Sequence, residues 1–214
     1  MANLTKKLFV TAVLSLANEA YADGITVVVD GRSGPWSIVA NPTFSYGGFF
    51  NGSQDQHLAP TLVDATSGVP FTVGDFLRIA YVNGIANGGS GNTSTADGSR
   101  TWNGNGILDE YLGVPAPGHY IAGINYLEQV VGTFANSNGI IVGSPFTIGN
   151  GPVYETIPFG ATQLLIGVND AWYNDNGGSL HMNVTEVATI PEPQTYAMML
   201  AGLGLLSLVA SRKN

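Results

Sequence analysis

Between Asn169 and Ser179 the chain reads Asn-Asp-Ala-Trp-Tyr-Asn-Asp-Asn-Gly-Gly-Ser, and Asp170, Asn174, Asp175 and Asn176 put four side-chain oxygen donors within seven residues. Two carboxylates this close repel each other unless water solvates them or they share a cation. Hard oxygens of mixed charge suit calcium, which takes about six to eight oxygen ligands and accepts backbone carbonyls among them. Gly177 and Gly178 follow, and glycine lets a chain fold back with positive φ. The spacing is not that of an EF-hand. Counted from Asp170, the third position is Trp172 and the sixth is Asp175, where that loop needs an oxygen donor and a glycine. An acidic, Asn-rich hairpin turn has the same residue types, so the types alone leave both readings open.

Other chemistries lack parts. With no cysteine there is no disulfide, no thiolate metal site and no cysteine nucleophile. No G-x-S-x-G is present. Asp109 and Glu110 are neighbours in sequence, whereas a glycosidase pair faces itself across about 5–9.5 Å from different elements. His57, His119 and His181 are not at metal-ligand spacing. The reading is therefore not an enzyme. Seven basic residues against fifteen acidic ones give a net charge of −8, which leaves no basic face for nucleic acid. The stretch 87–106 is polar and glycine-rich around Trp102. It lacks lysine and the order G-x-x-x-x-G-K-[ST], so it reads as a long surface loop rather than a phosphate cradle.

The elements that must position the acidic loop are strands. Ile25–Val29 is β-branched, and Phe71–Val82, Val130–Phe134, Ile140–Val142, Val153–Phe159 and Leu164–Val168 are apolar runs. Leu180–Thr185 alternates apolar and polar with the period of two that a half-buried strand requires. Gly, Asn, Pro, Ser and Asp punctuate the gaps. Tyr120–Val131 offers one short helix through Ile121, Ile124 and Leu127. Many short strands with turn signals predict an all-β fold, an antiparallel β-sandwich of jelly-roll type.

The two ends read as addresses outside that domain. Lys6 and Lys7 precede the apolar run Leu8–Ala17, and Ala20-Tyr21-Ala22 is a small-x-small cleavage site. Residues 1–22 therefore read as a secretory signal helix removed by signal peptidase. Residues 190–214 carry Pro191-Glu192-Pro193, then an uncharged helix at about 195–210, then Arg212 and Lys213. This order resembles the PEP-CTERM sorting signal of Gram-negative bacteria. The resemblance implies recognition by an exosortase, a membrane protease that cuts near the Pro-Glu-Pro. It also implies a secreted or cell-surface location reached through transient anchoring in the inner membrane, with the membrane met only through the terminal segments. Between Asp23 and Ile190 three arginines stand against 13 acids, so the domain at 23–189 is more acidic than the whole chain.

Within that domain Leu127–Val184 resembles the second half of the bacterial calcium-dependent galactophilic lectins, a β-sandwich related to galactose-binding domains. The matching segments are Val130-Val-Gly-Thr-Phe134, Gly139-Ile-Ile-Val-Gly-Ser-Pro-Phe146, Pro158 through Asp170, and Asn174 through Val184. The resemblance implies calcium held by Asp170, Asp175, Asn176 and the backbone carbonyl of Trp172. A further carbonyl would come from the loop after the Phe76–Val82 strand, near Asn87. In that family, vicinal hydroxyls of a sugar complete the metal's shell. Trp172 and Tyr173 are candidates to cover the apolar sugar face, with at least one of the two expected to anchor the loop in the core instead. His119 falls near the region that supplies the family's sugar-contacting residues. The expectation is an exported surface or biofilm-matrix protein that binds calcium and carbohydrate, such as an exopolysaccharide. A structural or adhesive matrix protein with calcium as a staple and no sugar site is the alternative.

Overall fold

The computed structural model describes residues 24–47, 57–88, 93–99, 110–111, 114–189 and 199–203. The signal segment with Ala20 and Ala22, the sorting residues Pro191, Glu192, Pro193, Arg212 and Lys213, and most of the glycine-rich stretch 87–106 lie outside them. One compact unit spans Tyr21–Val187 and a second comprises Met1–Ala20 with Ala188–Asn214. In the second, residues 199–203 are helical. Among the described residues no helix is long and apolar enough to cross a membrane.

The larger unit is all-β. Its strands are β1 (Ile25–Asp30), β2 (Thr61–Asp64), β3 (Phe76–Asn87), β4 (Thr93–Ser94), β5 (Glu110–Tyr111), β6 (Val114–Pro115), β7 (Gln129–Ala135), β8 (Phe146–Thr147), β9 (Val153–Thr156), β10 (Gln163–Asn169) and β11 (Gly177–Val187). One sheet runs β1-β11-β3, with β4 and β9 both pairing along the remaining edge of β3; a second runs β2-β10-β7-β8; β5 and β6 form a separate ribbon. Every strand pair is antiparallel. The first and last strands are therefore neighbours, with Ile25 opposite Val184 and Asp30 opposite Ser179.

The period-two pattern explains how the sheets meet. Leu180, Met182 and Val184 of β11 turn inward with Leu77 and Ile79 of β3 and Val29 of β1. They join Val130 and Phe134 of β7 and Leu164, Ile166 and Val168 of β10 in one buried cluster. Ser179, His181 and Asn183 take the alternate positions and stay half-exposed. Strand β10 is buried on both faces. A side chain at Gly167 would collide with the backbone of Gly34 and Pro35 at 2.5 Å, so the chain after β1 lies directly on it. Trp36 follows, fully buried, with its indole N–H donating to the Phe44 carbonyl at 2.8 Å.

Three expectations are corrected. Phe71–Val73 is not strand, and β3 starts at Phe76 and continues to Asn87. The short helix within Tyr120–Val131 does not form. The Asn125 side chain instead donates to the carbonyls of Gly118, Ile121 and Gly123, holding an irregular turn that leads into β7. Ile140–Val142 contributes a bridge from Ile141 to Ala135 rather than a strand of its own.

Two substitutions test this packing by urea unfolding. Leu180→Ala empties a fully buried position and is expected to cost about 2–5 kcal/mol. Gly178 sits at φ +78, and a Cβ there would lie 2.2 Å from the Ile85 carbonyl oxygen. Gly178→Ala is therefore expected to cost about 1–3 kcal/mol despite the exposure of the position.

Candidate functional site

All the strands that approach the acidic loop do so at one end of the sandwich. Strand β10 ends at Asn169, β11 starts at Gly177, β3 ends at Asn87 opposite Gly177, and β7 starts at Gln129 opposite Asn169. Asn169 is fully buried and ties these pieces together. Its carbonyl accepts from the Glu128 N–H at 2.8 Å, its side-chain N–H donates to the Tyr126 carbonyl at 3.0 Å, and its side-chain oxygen accepts from the Gly118 N–H at 2.6 Å.

Between β10 and β11 the chain makes a single 3-10 turn over Tyr173–Asp175. Asp170 precedes it and is 6% exposed. Burial pushes its carboxyl up to about 7, against the lowering effect of the Trp172 N–H at 2.9 Å and of the Asn176 side chain, and the Asp175 charge pushes the same way as burial. Asn176 is 8% exposed, and its side-chain N–H donates to the Gly31 carbonyl at 2.9 Å. Its Oδ1, by contrast, is buried with no hydrogen-bond partner. Asp175 and Asn174 are exposed on the outer side of the turn.

A second buried carboxylate reaches the same place. Glu128 is fully buried, and burial raises its carboxyl pKa, opposed by the Ser94 hydroxyl and assisted by the Asp175 charge. Ser94 Oγ donates to Glu128 Oε2 at 2.7 Å, while Oε1 has no partner. A Cβ built on Gly88 would stand 2.5 Å from Glu128 Oε1 and 3.7 Å from Asn176 Oδ1. The two unpaired oxygens thus both border the space that a side chain at residue 88 would enter. Asp175 lies close enough to act on both Asp170 and Glu128. Among the described residues no three acidic or histidine side chains form a group that could hold a metal ion. An ion here would need the Asn176 amide oxygen and backbone carbonyls as well.

The residues singled out by sequence fall as follows. Asp170, Asp175 and Asn176 are brought together in the loop. Trp172 caps the 3-10 turn, where its carbonyl takes part in the first hydrogen bond of the turn and keeps a second lone pair. Asn87 ends β3 next to Gly88. Trp172 is 38% exposed, whereas Tyr173 is fully buried. Of the two rings, one of which is expected to anchor the loop in the core, Tyr173 is the anchor. Its hydroxyl donates to the Val168 carbonyl at 2.8 Å, and its ring packs 5.9 Å from Tyr46 and 5.7 Å from His57. His119 is exposed on the turn Pro117–Tyr120, which Asn169 grips through Gly118. Gly177 and Gly178 are the first two residues of β11, and Gly178 alone of the two has positive φ. Glu128, Ser94 and Gly88 were not anticipated as parts of the site. A lone Glu in an apolar run gives no signal of where its side chain will point.

Residues 189–213 match the PEP-CTERM protein-sorting motif. No curated protein matches the chain, and no solved structure does. The sorting motif implies an exported, cell-surface protein processed by exosortase.

The contrasting burial of the two neighbouring aromatics gives a direct test. Tyr173→Phe removes a buried hydroxyl and orphans the Val168 carbonyl, with an expected cost of about 1–2 kcal/mol. Trp172→Ala is expected to change unfolding free energy by no more than about 0.5 kcal/mol. Chemical denaturation of both variants reads the difference.

Proposed function

We propose that this exported protein uses its acidic loop as a calcium site and presents that calcium, with Trp172 beside it, to carbohydrate at the cell surface or in the extracellular polysaccharide matrix. The single observation that carries the calcium reading is Asn176 Oδ1. It is an amide oxygen buried without a donor, next to buried Asp170 and within reach of Asp175's charge. A buried acceptor left without a partner costs about 1–3 kcal/mol, and a cation removes that cost at the same time as it neutralises the carboxylates. In this reading Asp170, Asp175, Asn176 Oδ1 and the Trp172 carbonyl are ligands, with the Asn87 carbonyl as a further contributor. Calcium's remaining positions, on the exposed side of Asp175 and Trp172, would take water or two sugar hydroxyls. Trp172 supplies an apolar face for the sugar ring. His119, on its tethered turn, is placed to meet the same ligand.

The parallel with the galactophilic lectins supports a jelly-roll, galactose-binding type of sandwich at 23–189, and the sorting motif supports a Gram-negative envelope with transient inner-membrane anchoring before exosortase cleavage. The burial of Tyr173 supports a second reading. With one aromatic left on the surface of the loop, calcium would act as a structural staple in an adhesive matrix protein that binds no sugar.

Two measurements decide between these outcomes. Calcium at a hundredfold excess over its dissociation constant stabilises the folded state by about 2.7 kcal/mol. That corresponds to a melting temperature raised by roughly 5–10 °C for a domain of this size. EDTA should reverse the shift, and the double change D170N/D175N should abolish it; a melting curve indifferent to EDTA would sink the calcium reading. On a glycan array, calcium-dependent retention lost in Trp172→Ala supports carbohydrate binding. A calcium-responsive protein that retains no glycan is the structural protein of the second reading.

A further inference from the structure

Glu128 combines three features that the fold does not explain by itself. It is, among the described residues, the one non-glycine residue with positive φ, at +61. It occupies the third position of the turn Tyr126–Gln129, closed by the Gln129 N–H on the Tyr126 carbonyl at 3.2 Å. Glycine is the ordinary choice at such a position, and a larger residue costs about 1–3 kcal/mol there. The side chain is nevertheless a carboxylate, fully buried. One of its oxygens is fixed by Ser94 and the other has no donor. Among the described residues the one ion pair is Arg32 with Asp30 at 3.5 Å, so no described basic side chain neutralises Glu128. Replacing Glu128 by glycine would relax the turn and remove a buried acid, so apart from the Ser94 hydrogen bond the local terms run against the residue that is present.

The unpaired oxygen borders the same space beside Gly88 as Asn176 Oδ1. Two buried oxygen atoms without donors at one place offer lone pairs that a cation can take up. Building on the calcium reading above, we propose that Glu128 is a further ligand of that ion, contributing Oε1 from the interior while Asp175 closes the shell from the solvent side. Ser94 is a positioning residue, since its hydroxyl turns Oε2 away and leaves Oε1 for the metal. Gly88 keeps the gap open. The ion then joins three separate pieces of chain: the loop before β11, the turn before β7 and the end of β3. Carboxylate oxygens together with the Asn176 amide oxygen around one ion favour a divalent cation over a monovalent one, and hard oxygens of this kind favour calcium over transition metals.

The test is calcium titration by calorimetry of the wild type, E128Q and G88A, with melting curves in EDTA. E128Q keeps the shape of the side chain and removes the charge. The expected result is calcium affinity at least tenfold weaker together with a melting temperature in EDTA equal to or above that of the wild type. A purely structural role for Glu128 predicts the opposite, with unchanged affinity and a lower melting temperature. G88A leaves the carboxylate intact and fills the gap, and is also expected to weaken calcium at least tenfold; it carries the decision if E128Q does not fold. If the wild type binds calcium and the folded variants bind it equally well, the role of Glu128 is overturned and the calcium loop stands. If the wild type does not bind calcium, the loop reading itself is overturned and this inference falls with it.

Discussion

Strand β11 is hydrogen-bonded on both edges, to β1 over Ser179–Val184 and to β3 over its whole length from Gly177 to Val187. Few other choices remain open once it is in place. Its inward residues Leu180, Met182 and Val184 set the face of the sheet that packs on β10 and β7. Its first residues bring Gly177 against Asn87 and Gly178 against Gly31, whose N–H donates to the Gly178 carbonyl at 3.0 Å. The loop from Asp170 to Asn176 therefore has little freedom. It must cross from the end of one sheet to the start of the central strand of the other, and it does so with a single turn pinned by Tyr173 in the core.

That crossing concentrates polar atoms where a sandwich would otherwise be sealed by apolar ones. Glu128, Asn169, Asp170 and Asn176 are all buried at this end. Asn169 satisfies its own groups and those of two neighbouring turns, and acts as ordinary structural glue. Glu128 and Asn176 each keep one oxygen unsatisfied. The difference between these residues separates a buried polar network that stabilises a fold from one that needs a further component. The apolar cluster between the sheets is large enough to carry the cost, which is why the end of the sandwich can depart from the usual rule of pairing every buried polar atom.

Much of this was legible in the sequence, for identifiable reasons. The alternation in Leu180–Thr185 gave both the strand and its inward face, because one register alone buries the leucine, methionine and valine together. The acidic loop stood out because its donors are close in sequence. Glu128 did not, because its role depends on a backbone conformation and on neighbours at Ser94, Gly88 and Asn176 that meet it only in three dimensions. Tyr120–Val131 carried an apolar spacing that suits a helix, and Asn125 diverts it by binding the carbonyls of Ile121 and Gly123, which a helix would have used itself. Trp172 and Tyr173 are indistinguishable as sequence. Their fates diverge because a turn of three residues points one ring inward and the other out.

The antiparallel pairing of β1 and β11 also fixes where the chain enters and leaves. Ile25 lies opposite Val184, near the last residue of β11, while the loop with Asp170 leads into the first. At about 3.3 Å per residue the length of β11 separates these two poles by roughly 30 Å. A pull applied to the chain after Val187, against a ligand held at the loop, would run along the axis of β11. The backbone of β11 would then carry the tension between the two poles, with both of its ladders bracing it along their length rather than opening one bond at a time from an end. Were the chain held by its tail and a ligand held at the far pole, as in the proposed function, the strand bonded on both edges would lie along the line of tension.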